Sequence, residues 1–137
     1  MPDVTGGEYA VAEPDSLDGV LGFEVVEISE EHAVGRFAIR DRVRQRFGLV
    51  HGGAYAALAE TVVSHATAHA VWPEGMVAMG QSNDTSFLRP VSQGTVHAAA
   101  HRKHRGRSTW VWEVEFTDDE GRMCALSRVT MAVWPRP

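Results

Sequence analysis

The sequence predicts an α+β fold in which one long central helix is wrapped by a curved six-stranded antiparallel sheet. Residues 54–71 are rich in alanine and contain no proline or glycine, as expected of a single long helix. Two β-branched segments precede this stretch and four follow it. The segment 108–117 alternates apolar and polar side chains, which is typical of a sheet with one covered face.

The chain of 137 residues is long enough for one domain with its own core. We expect a polar N-terminal arm over residues 1–15 and a single domain over residues 16–137. The chain starts with no basic and apolar leader, and no apolar run reaches the roughly 20 residues that span a bilayer. We therefore expect a cytoplasmic protein with no membrane partner.

Charge and side-chain chemistry exclude several classes of function. A net charge of -5 argues against binding to nucleic acid. The single cysteine, Cys124, forms no internal disulfide, fits a reducing compartment and is expected to be a core residue. There is no G-x-S-x-G elbow, and the histidines lack the H-E-x-x-H or paired-cysteine pattern of zinc sites. We expect neither a serine hydrolase nor a metal site.

The predicted elements follow in order along the chain. Ser16 caps a short helix that Gly22 ends. A hairpin follows, with strands over 23–29 and 33–40 and a turn at 30–32. The long helix has a glycine pair in its first turn and ends before Pro73, where a loop begins.

Four more strands are predicted over 77–88, 95–104, 108–117 and 122–134. The last two are joined by a hairpin turn whose glycine is Gly121. A helix of about 20 residues is about 30 Å long, and its alanines leave room for a sheet to close around it. This combination is the hotdog architecture.

Four segments resemble the hotdog-fold thioesterase superfamily: HGGAYAALAET, NDTSFLRPVSQGTVHAAA, HRGR and FTDDEGRMCA. The resemblance covers residues 17–134 and is closest to the branch of the Arthrobacter-type 4-hydroxybenzoyl-CoA and enterobactin proofreading thioesterases. In that branch a glutamine lies six residues before a His-Gly-Gly, and the helix carries Glu with Ser or Thr four residues later. The matching residues are Gln45, His51, Gly52, Gly53, Glu60 and Ser64. Phenylacetate-pathway thioesterases resemble the chain less, because they carry Asp in place of Glu60.

These residues can support thioester hydrolysis. The unpaired amide of Gly52 at a helix N-terminus can polarise a carbonyl oxygen. Glu60 can attack the carbonyl carbon to give a mixed anhydride, or it can activate water as a general base. Ser64 lies one helical turn beyond Glu60 and can hold that water or a substrate group, while Gln45 and His51 offer further hydrogen bonds.

The spacing along the helix predicts an obligate dimer. Gly52 and Glu60 are eight residues apart, which is about 12 Å at the rise of an α-helix. Reacting groups must lie within about 3–3.5 Å of each other, so two subunits with antiparallel helices would share each site. The resemblance implies the same homodimer, commonly assembled as a homotetramer from two dimers.

The thiol half of the substrate is expected to be coenzyme A or a carrier-protein pantetheine, with no separate cofactor. Arg89 and a basic run, Arg102, Lys103, Arg105 and Arg107, are the concentration of positive charge suited to phosphate. By resemblance, Arg89, Arg107 and Ser108 fall at nucleotide-contacting positions. The same basic run is also a means of protecting a sheet edge.

Two other functions remain open at this stage. A hotdog hydratase or dehydratase would act on the same thioesters, although its own His/Asp or His/Glu pairing is not seen. A non-catalytic acyl-CoA-binding module would keep the fold and release no thiol. The acyl group is also open: the resemblance favours a hydroxybenzoyl-like group, and Trp72, Met76, Met79 and Phe87 would line its pocket or belong to the core.

Overall fold

The structure is a computed structural model that describes residues 13–137. The predicted order of elements is confirmed: α1 (Leu17–Leu21), β1 (Glu24–Ile28), β2 (His32–Ala38), α2 (Gly52–Val71), β3 (Met76–Phe87), β4 (Thr95–Arg105), β5 (Thr109–Thr117) and β6 (Met123–Pro135). Most of the predicted N-terminal arm, residues 1–12, lies outside the described residues. No helix within residues 13–137 is long and apolar enough to cross a membrane.

The six strands form one antiparallel sheet in the order β1-β2-β4-β5-β6-β3. The predicted inward face of β5 is confirmed, because Trp110, Trp112, Val114 and Phe116 are all buried. These side chains pack with the buried face of α2 in one hydrophobic cluster. The sheet therefore curves around α2 and encloses the core.

A polar contact joins the middle of the sheet to α2. The Trp112 indole N–H donates to the Thr67 hydroxyl at 3.0 Å, and that hydroxyl donates to the Val63 carbonyl oxygen at 2.7 Å. Both side chains are fully buried. Burial of an indole or hydroxyl is tolerated when its hydrogen bonds are made, so this contact fixes the helix against β5 without an unpaired polar group.

The short elements follow the predicted capping with two differences. Ser16 accepts from the Gly19 N–H, and Gly22 ends α1 in the left-handed conformation, as predicted. His32 belongs to β2 and not to the preceding turn, because it pairs with His101 of β4. Beyond α2 the chain forms a 3-10 turn, Trp72–Glu74, where a loop was predicted. Pro73 fits there because the first turn of such a helix needs no N–H from it.

Strand β3 is an edge of the sheet and pairs with β6 alone. Most of its residues are exposed. Its register with β6 shifts between Gly80 and Ser82, so Gln81 is an extra residue in a β-bulge. A bulge changes which side chains point to each face, and this one allows Gly80 and Asn83 to face α2 together.

The turn between β5 and β6 is organised around Asp118, which is buried. Its carboxylate accepts from the backbone N–H groups of Glu120 and Arg122, at 3.0 and 2.9 Å, and from the Arg122 guanidinium at 2.8 Å. Burial raises the pKa of the Asp118 carboxyl. The hydrogen bonds from Arg122, the positive charge of Arg122 and the hydrogen bond from the Glu120 amide lower it by more, so the pKa lies below its ordinary value.

We expect Asp118→Asn to lower the free energy of unfolding at pH 7 and the midpoint of thermal unfolding by several degrees. Because the folded-state pKa is depressed, the stabilisation is complete above the unfolded pKa and is lost as the pH falls through the folded pKa. The difference in the free energy of unfolding between variant and wild type should therefore shrink below about pH 4. Urea unfolding at neutral and acid pH measures this, with Glu120→Gln as the control. A difference that is constant with pH would contradict the role of the charge.

Candidate active site

The N-terminus of α2 presents one unpaired backbone amide. The Nδ1 atom of His51 accepts from the Gly53 N–H at 2.8 Å, and the His51 carbonyl oxygen accepts from the Ala54 N–H at 3.0 Å. Within residues 13–137, the Gly52 N–H has no hydrogen-bond partner. The helix dipole makes this amide a favourable site for a partly negative oxygen.

The same cap sets the tautomer of the neutral His51 ring. Since Nδ1 accepts a hydrogen bond, the neutral ring carries its proton on Nε2. The ring is exposed, so Nε2–H is available to donate to a ligand. His51 can therefore cap the helix through Nδ1 and still serve as the predicted hydrogen-bond donor through Nε2, because the two roles use different nitrogen atoms.

Phe87, at the end of β3, lies over Gly52. A Cβ atom at Gly52 would be 2.7 Å from the Cζ atom of the Phe87 ring. Phe87 is 59% exposed, and its ring centroid is 6.2 Å from that of Tyr55. Of the four side chains predicted to line an acyl pocket or the core, Phe87 forms an exposed wall beside the unpaired amide.

The other three candidates have different surroundings. Trp72 is half-buried under the Arg136 guanidinium, which lies 4.2 Å from its ring. Met76 packs against the core, whereas Met79 on β3 is 56% exposed. Neither Trp72 nor Met76 lines the pocket beside Glu60.

Glu60 lies on the exposed side of α2, with its carboxylate against β3. A Cβ atom at Gly80 would be 2.6 Å from Glu60 Oε1, so the missing side chain makes room for the carboxylate. Sequence reasoning missed Gly80. A lone glycine within a strand pattern is a signal of a bulge or a close approach, and both occur here.

If Glu60 is the reacting group that the sequence predicts, Gly80→Ala should lower kcat about 100-fold, because a displacement of about 1 Å at a reacting group has effects of this size. The added methyl group meets the end of a flexible side chain, so the fold should persist and the Glu60 carboxylate should move. Steady-state kinetics and thermal unfolding measure the two effects, with Ser82→Ala as the control. Wild-type kcat in Gly80→Ala would show that this contact does not matter.

Glu60 and Ser64 share a pocket of about 240 Å³ between α1 and α2. The remaining lining residues are Leu17, Asp18, Ala57, Thr61 and His65. The Thr61 hydroxyl donates to Asp18 at 2.7 Å, which ties α1 to α2. Partial desolvation lowers the pKa of His65, and the charge of Asp18 opposes this in part.

Gln45 lies in a tight loop just before α2. Its side-chain oxygen accepts from the Phe47 N–H, and its backbone N–H donates to the Leu49 carbonyl oxygen at 2.7 Å. The loop is closed by the His51 N–H, which donates to the Val43 carbonyl oxygen at 2.7 Å. With its oxygen engaged, Gln45 offers its amide N–H groups for a ligand.

The structure divides the predicted basic cluster. Arg102 and Arg105 both lie over the Trp110 ring. The distances from their guanidinium carbons to the ring centroid are 5.0 and 4.8 Å. Their charges are paired with Glu30, Glu31 and Glu74, and Lys103 is paired with Glu113. These three cations hold the hairpin in place. Their pairing could not be predicted from sequence, because the acidic partners come from other elements.

Arg89 and Arg107 are exposed and have no side-chain ion pair within residues 13–137. The Arg89 N–H donates to the Cys124 carbonyl oxygen at 3.2 Å, so its backbone is held while its side chain is not. Ser108 is exposed and accepts from the Val133 N–H through its carbonyl oxygen at 2.9 Å. These positions remain suited to an anionic ligand.

Other reactive side chains take no part in this site. Cys124 is fully buried, and burial raises the pKa of its thiol, so it remains protonated in the core. The neighbouring Tyr55 hydroxyl is also buried, which raises its pKa. Within residues 13–137, no group of three or more His, Cys, Asp or Glu side chains is placed to hold a metal ion.

A family model matches the part of the chain that holds the candidate site. The model of the thioesterase superfamily matches residues 47–125, which include the N-terminus of α2, Glu60 and all of β3. The chain belongs to the thioesterase superfamily. The predicted resemblance is therefore confirmed.

Two curated relatives and one solved structure illustrate the similarity. The proofreading thioesterase EntH of Cronobacter turicensis is 37% identical over 113 residues, 82% of each chain. The 1,4-dihydroxy-2-naphthoyl-CoA hydrolase of Listeria monocytogenes is 34% identical over 117 residues, 85% of this chain and 94% of that one. A thioesterase of Haemophilus influenzae has a TM-score of 0.83 at 33% identity, covering 88% of this chain and 84% of that one. The predicted hotdog fold is thereby confirmed.

Proposed function

We propose that this thioesterase hydrolyses aryl-CoA or acyl-CoA thioesters to a free acid and a thiol, with an acyl carrier as the alternative source of the thiol. The observation that carries the proposal is that one helix presents both an unpaired amide, at Gly52, and a carboxylate seated at a pocket, at Glu60. No separate cofactor is required, since coenzyme A is part of the substrate. The cytoplasm is the proposed location.

The two groups would act on one thioester only across a dimer. Helix α2 is uninterrupted from Gly52 to Val71, so Gly52 and Glu60 of one chain lie about 12 Å apart. The edge strand β3 leaves Met79 and Phe87 exposed, as is the adjoining Leu88. Covering this edge with a second copy would satisfy an otherwise open row of backbone groups and place two helices side by side. A homodimer is the proposed minimum, and a homotetramer of two dimers is the proposed assembly.

In this dimer the thioester oxygen would accept from the Gly52 N–H of one subunit. Glu60 of the other subunit would attack the carbonyl carbon, giving a mixed anhydride and a thiolate, and water would then release the acid. In the second route Glu60 removes a proton from water, which attacks the same carbon. Both routes place the negative charge of the intermediate at the Gly52 amide.

The remaining residues would orient the substrate. Ser64 would hold the attacking water or a substrate group, because it lies one turn beyond Glu60 in the same pocket. His51 through Nε2–H and Gln45 through its amide would donate to the acyl group or the thioester. Arg89, Arg107 and Ser108 would contact the phosphates of coenzyme A.

The pocket beside Glu60 favours a hydroxylated aromatic acyl group. Leu17 and Ala57 supply apolar surface, whereas Asp18, Thr61 and His65 supply hydrogen-bonding groups. A pocket that combines apolar walls with a few polar groups orients a ring that carries hydroxyl groups. The Listeria relative is named for a dihydroxynaphthoyl thioester, which supports this class of substrate.

A thiol-release screen tests the proposal. Benzoyl, hydroxybenzoyl, phenylacetyl, naphthoyl and fatty acyl-CoA esters are compared, with Glu60→Ala beside the wild type and EDTA as a test for metal. We expect the wild type to release thiol from aryl esters. EDTA should not affect this release, and Glu60→Ala should abolish it. Product analysis separates the alternatives: a hydroxyacyl or enoyl thioester would indicate a hydratase or dehydratase. Tight binding of the esters without thiol release would indicate a binding module.

A further inference from the structure

The helix-facing side of β3 carries a polar contact that the proposed site does not use. The Nδ2 atom of Asn83 donates to the carbonyl oxygen of Ala56, in α2, at 2.9 Å. Asn83 lies between Gly80, which borders Glu60, and Phe87, which covers Gly52. The contact therefore joins β3 to α2 between Gly52 and Glu60, which the proposed dimer assigns to two different active sites.

The orientation of the Asn83 amide is set by a chain of hydroxyl groups. The Thr85 hydroxyl lies 2.8 Å from Asn83 Oδ1 and 2.7 Å from the Ser127 hydroxyl. Because Oδ1 only accepts, Thr85 uses its single proton toward Asn83, and Ser127 must donate to Thr85. Ser127 is 1% exposed and directly opposite Thr85 in the sheet. The chain thus runs from the core to the helix and points the Asn83 NH₂ group at Ala56.

Ala56 is a significant place for such a contact. It lies four residues after Gly52 and four before Glu60. In an α-helix the N–H of residue i bonds to the carbonyl of residue i−4, so the Ala56 carbonyl accepts from the Glu60 N–H. Asn83 therefore bonds the same carbonyl that holds the Glu60 backbone, while Gly80 of the same strand borders the Glu60 carboxylate.

We propose that Asn83, oriented by Thr85 and Ser127, is a positioning residue that fixes α2 on β3 so that the Glu60 carboxylate is held at the reacting carbon. This inference rests on the proposed function, since Glu60 must be the reacting group. The hydrogen bonds that pair β3 with β6 lie in the plane of the sheet, and so would those to a second copy, so neither fixes the distance from β3 to α2. The Asn83 contact supplies that constraint through atoms that do not touch the substrate.

Two variants of Asn83 and a matched pair at Thr85 test the inference. Asn83→Ala and Asn83→Asp remove the donor to Ala56, and each is expected to lower kcat about 10-fold with KM within about twofold, because positioning acts on the reacting step. Thr85→Val removes the hydroxyl and should lower kcat similarly, whereas Thr85→Ser keeps it and should retain wild-type kcat. Ser86→Ala, on the opposite face of β3, is the control.

A second readout does not require turnover. Amide hydrogen exchange at Glu60 in the native protein should be several-fold faster in Asn83→Ala and Thr85→Val than in wild type and Thr85→Ser. In the Glu60→Ala background, Asn83→Ala should cause no further loss of rate, since its effect acts through Glu60.

The outcomes separate this inference from the proposed function. Wild-type kcat in Asn83→Ala would overturn the inference and leave the proposed function intact. The inference would also be overturned if Thr85→Val and Thr85→Ser lost kcat equally, or if kcat and KM changed together with thermal stability. Either result would indicate a merely structural contact. If the wild type releases no thiol, the proposed function fails and with it the positioning role of Asn83 in catalysis. The exchange rates then show whether Asn83 holds the Glu60 peptide.

Discussion

Glu60→Ala is expected to lower kcat for the preferred thioester about 1000-fold, because it removes either the nucleophile or the general base. The effect on KM should be small, since most binding contacts are proposed to lie along the acyl and coenzyme A portions. The fold should be unaffected, because the Glu60 side chain is exposed and forms no ion pair within residues 13–137. Thiol release under saturating substrate measures the loss, and thermal unfolding checks the fold.

Two further variants sharpen this result. Glu60→Gln keeps the size of the side chain and its place beside Gly80 but removes its charge, so it should be as inactive as Glu60→Ala. Glu115→Ala removes an exposed carboxylate from β5 and should keep full activity. An active Glu60→Gln would show that the carboxylate is not the reacting group.

Gly52→Pro is expected to lower kcat about 100- to 1000-fold, because loss of one donor to the developing oxyanion has effects of this size. Proline removes the Gly52 N–H, and it is favoured at the first position of a helix. The preceding residue must be extended, and His51 already has ψ of 131°. The new Cβ atom meets the Cζ end of Phe87, an exposed side chain that can move aside. The variant should therefore fold.

Gly52→Ala is the matched control for this variant. It introduces the same Cβ atom toward Phe87 but keeps the backbone N–H. Gly52→Ala should therefore lose much less kcat than Gly52→Pro. Steady-state kinetics of the two variants separate the amide from the space around it. Equal kcat values in Gly52→Pro and Gly52→Ala would mean that the amide does not polarise the carbonyl.

The architecture could be predicted in detail because each element carries a local signal. Ser16 and Gly22 bound α1, the alanine-rich stretch defines α2, and the alternation in β5 marks its buried face. The difference at His32 concerns only where β2 begins. His32 belongs to β2 because it pairs with His101, and such pairing is not visible in the sequence of a single segment.

The site was predictable only where its residues share one segment. Gln45, His51, Gly52, Glu60 and Ser64 lie within 20 residues and follow a motif. Gly80 carried the signal of a lone glycine in a strand, but its partner Glu60 and the position of Asn83 opposite α2 could not be assigned, because both depend on the bulge at Gln81. The pairing of Arg105 with Glu30 and Glu74 was likewise hidden, since three separate elements meet there. What the sequence lacks is the register between distant elements.

The dimer-shared site is tested most directly by mixing two inactive chains. Each mixed dimer joins one Glu60→Ala chain to one Gly52→Pro chain, and two different affinity tags allow its purification. If each site takes its amide from one subunit and its carboxylate from the other, the mixed dimer contains one site with both groups intact. Such dimers should regain about half of the wild-type activity, one of two equivalent sites. Mixed dimers as inactive as either parent would show that each subunit works alone and would contradict the shared site.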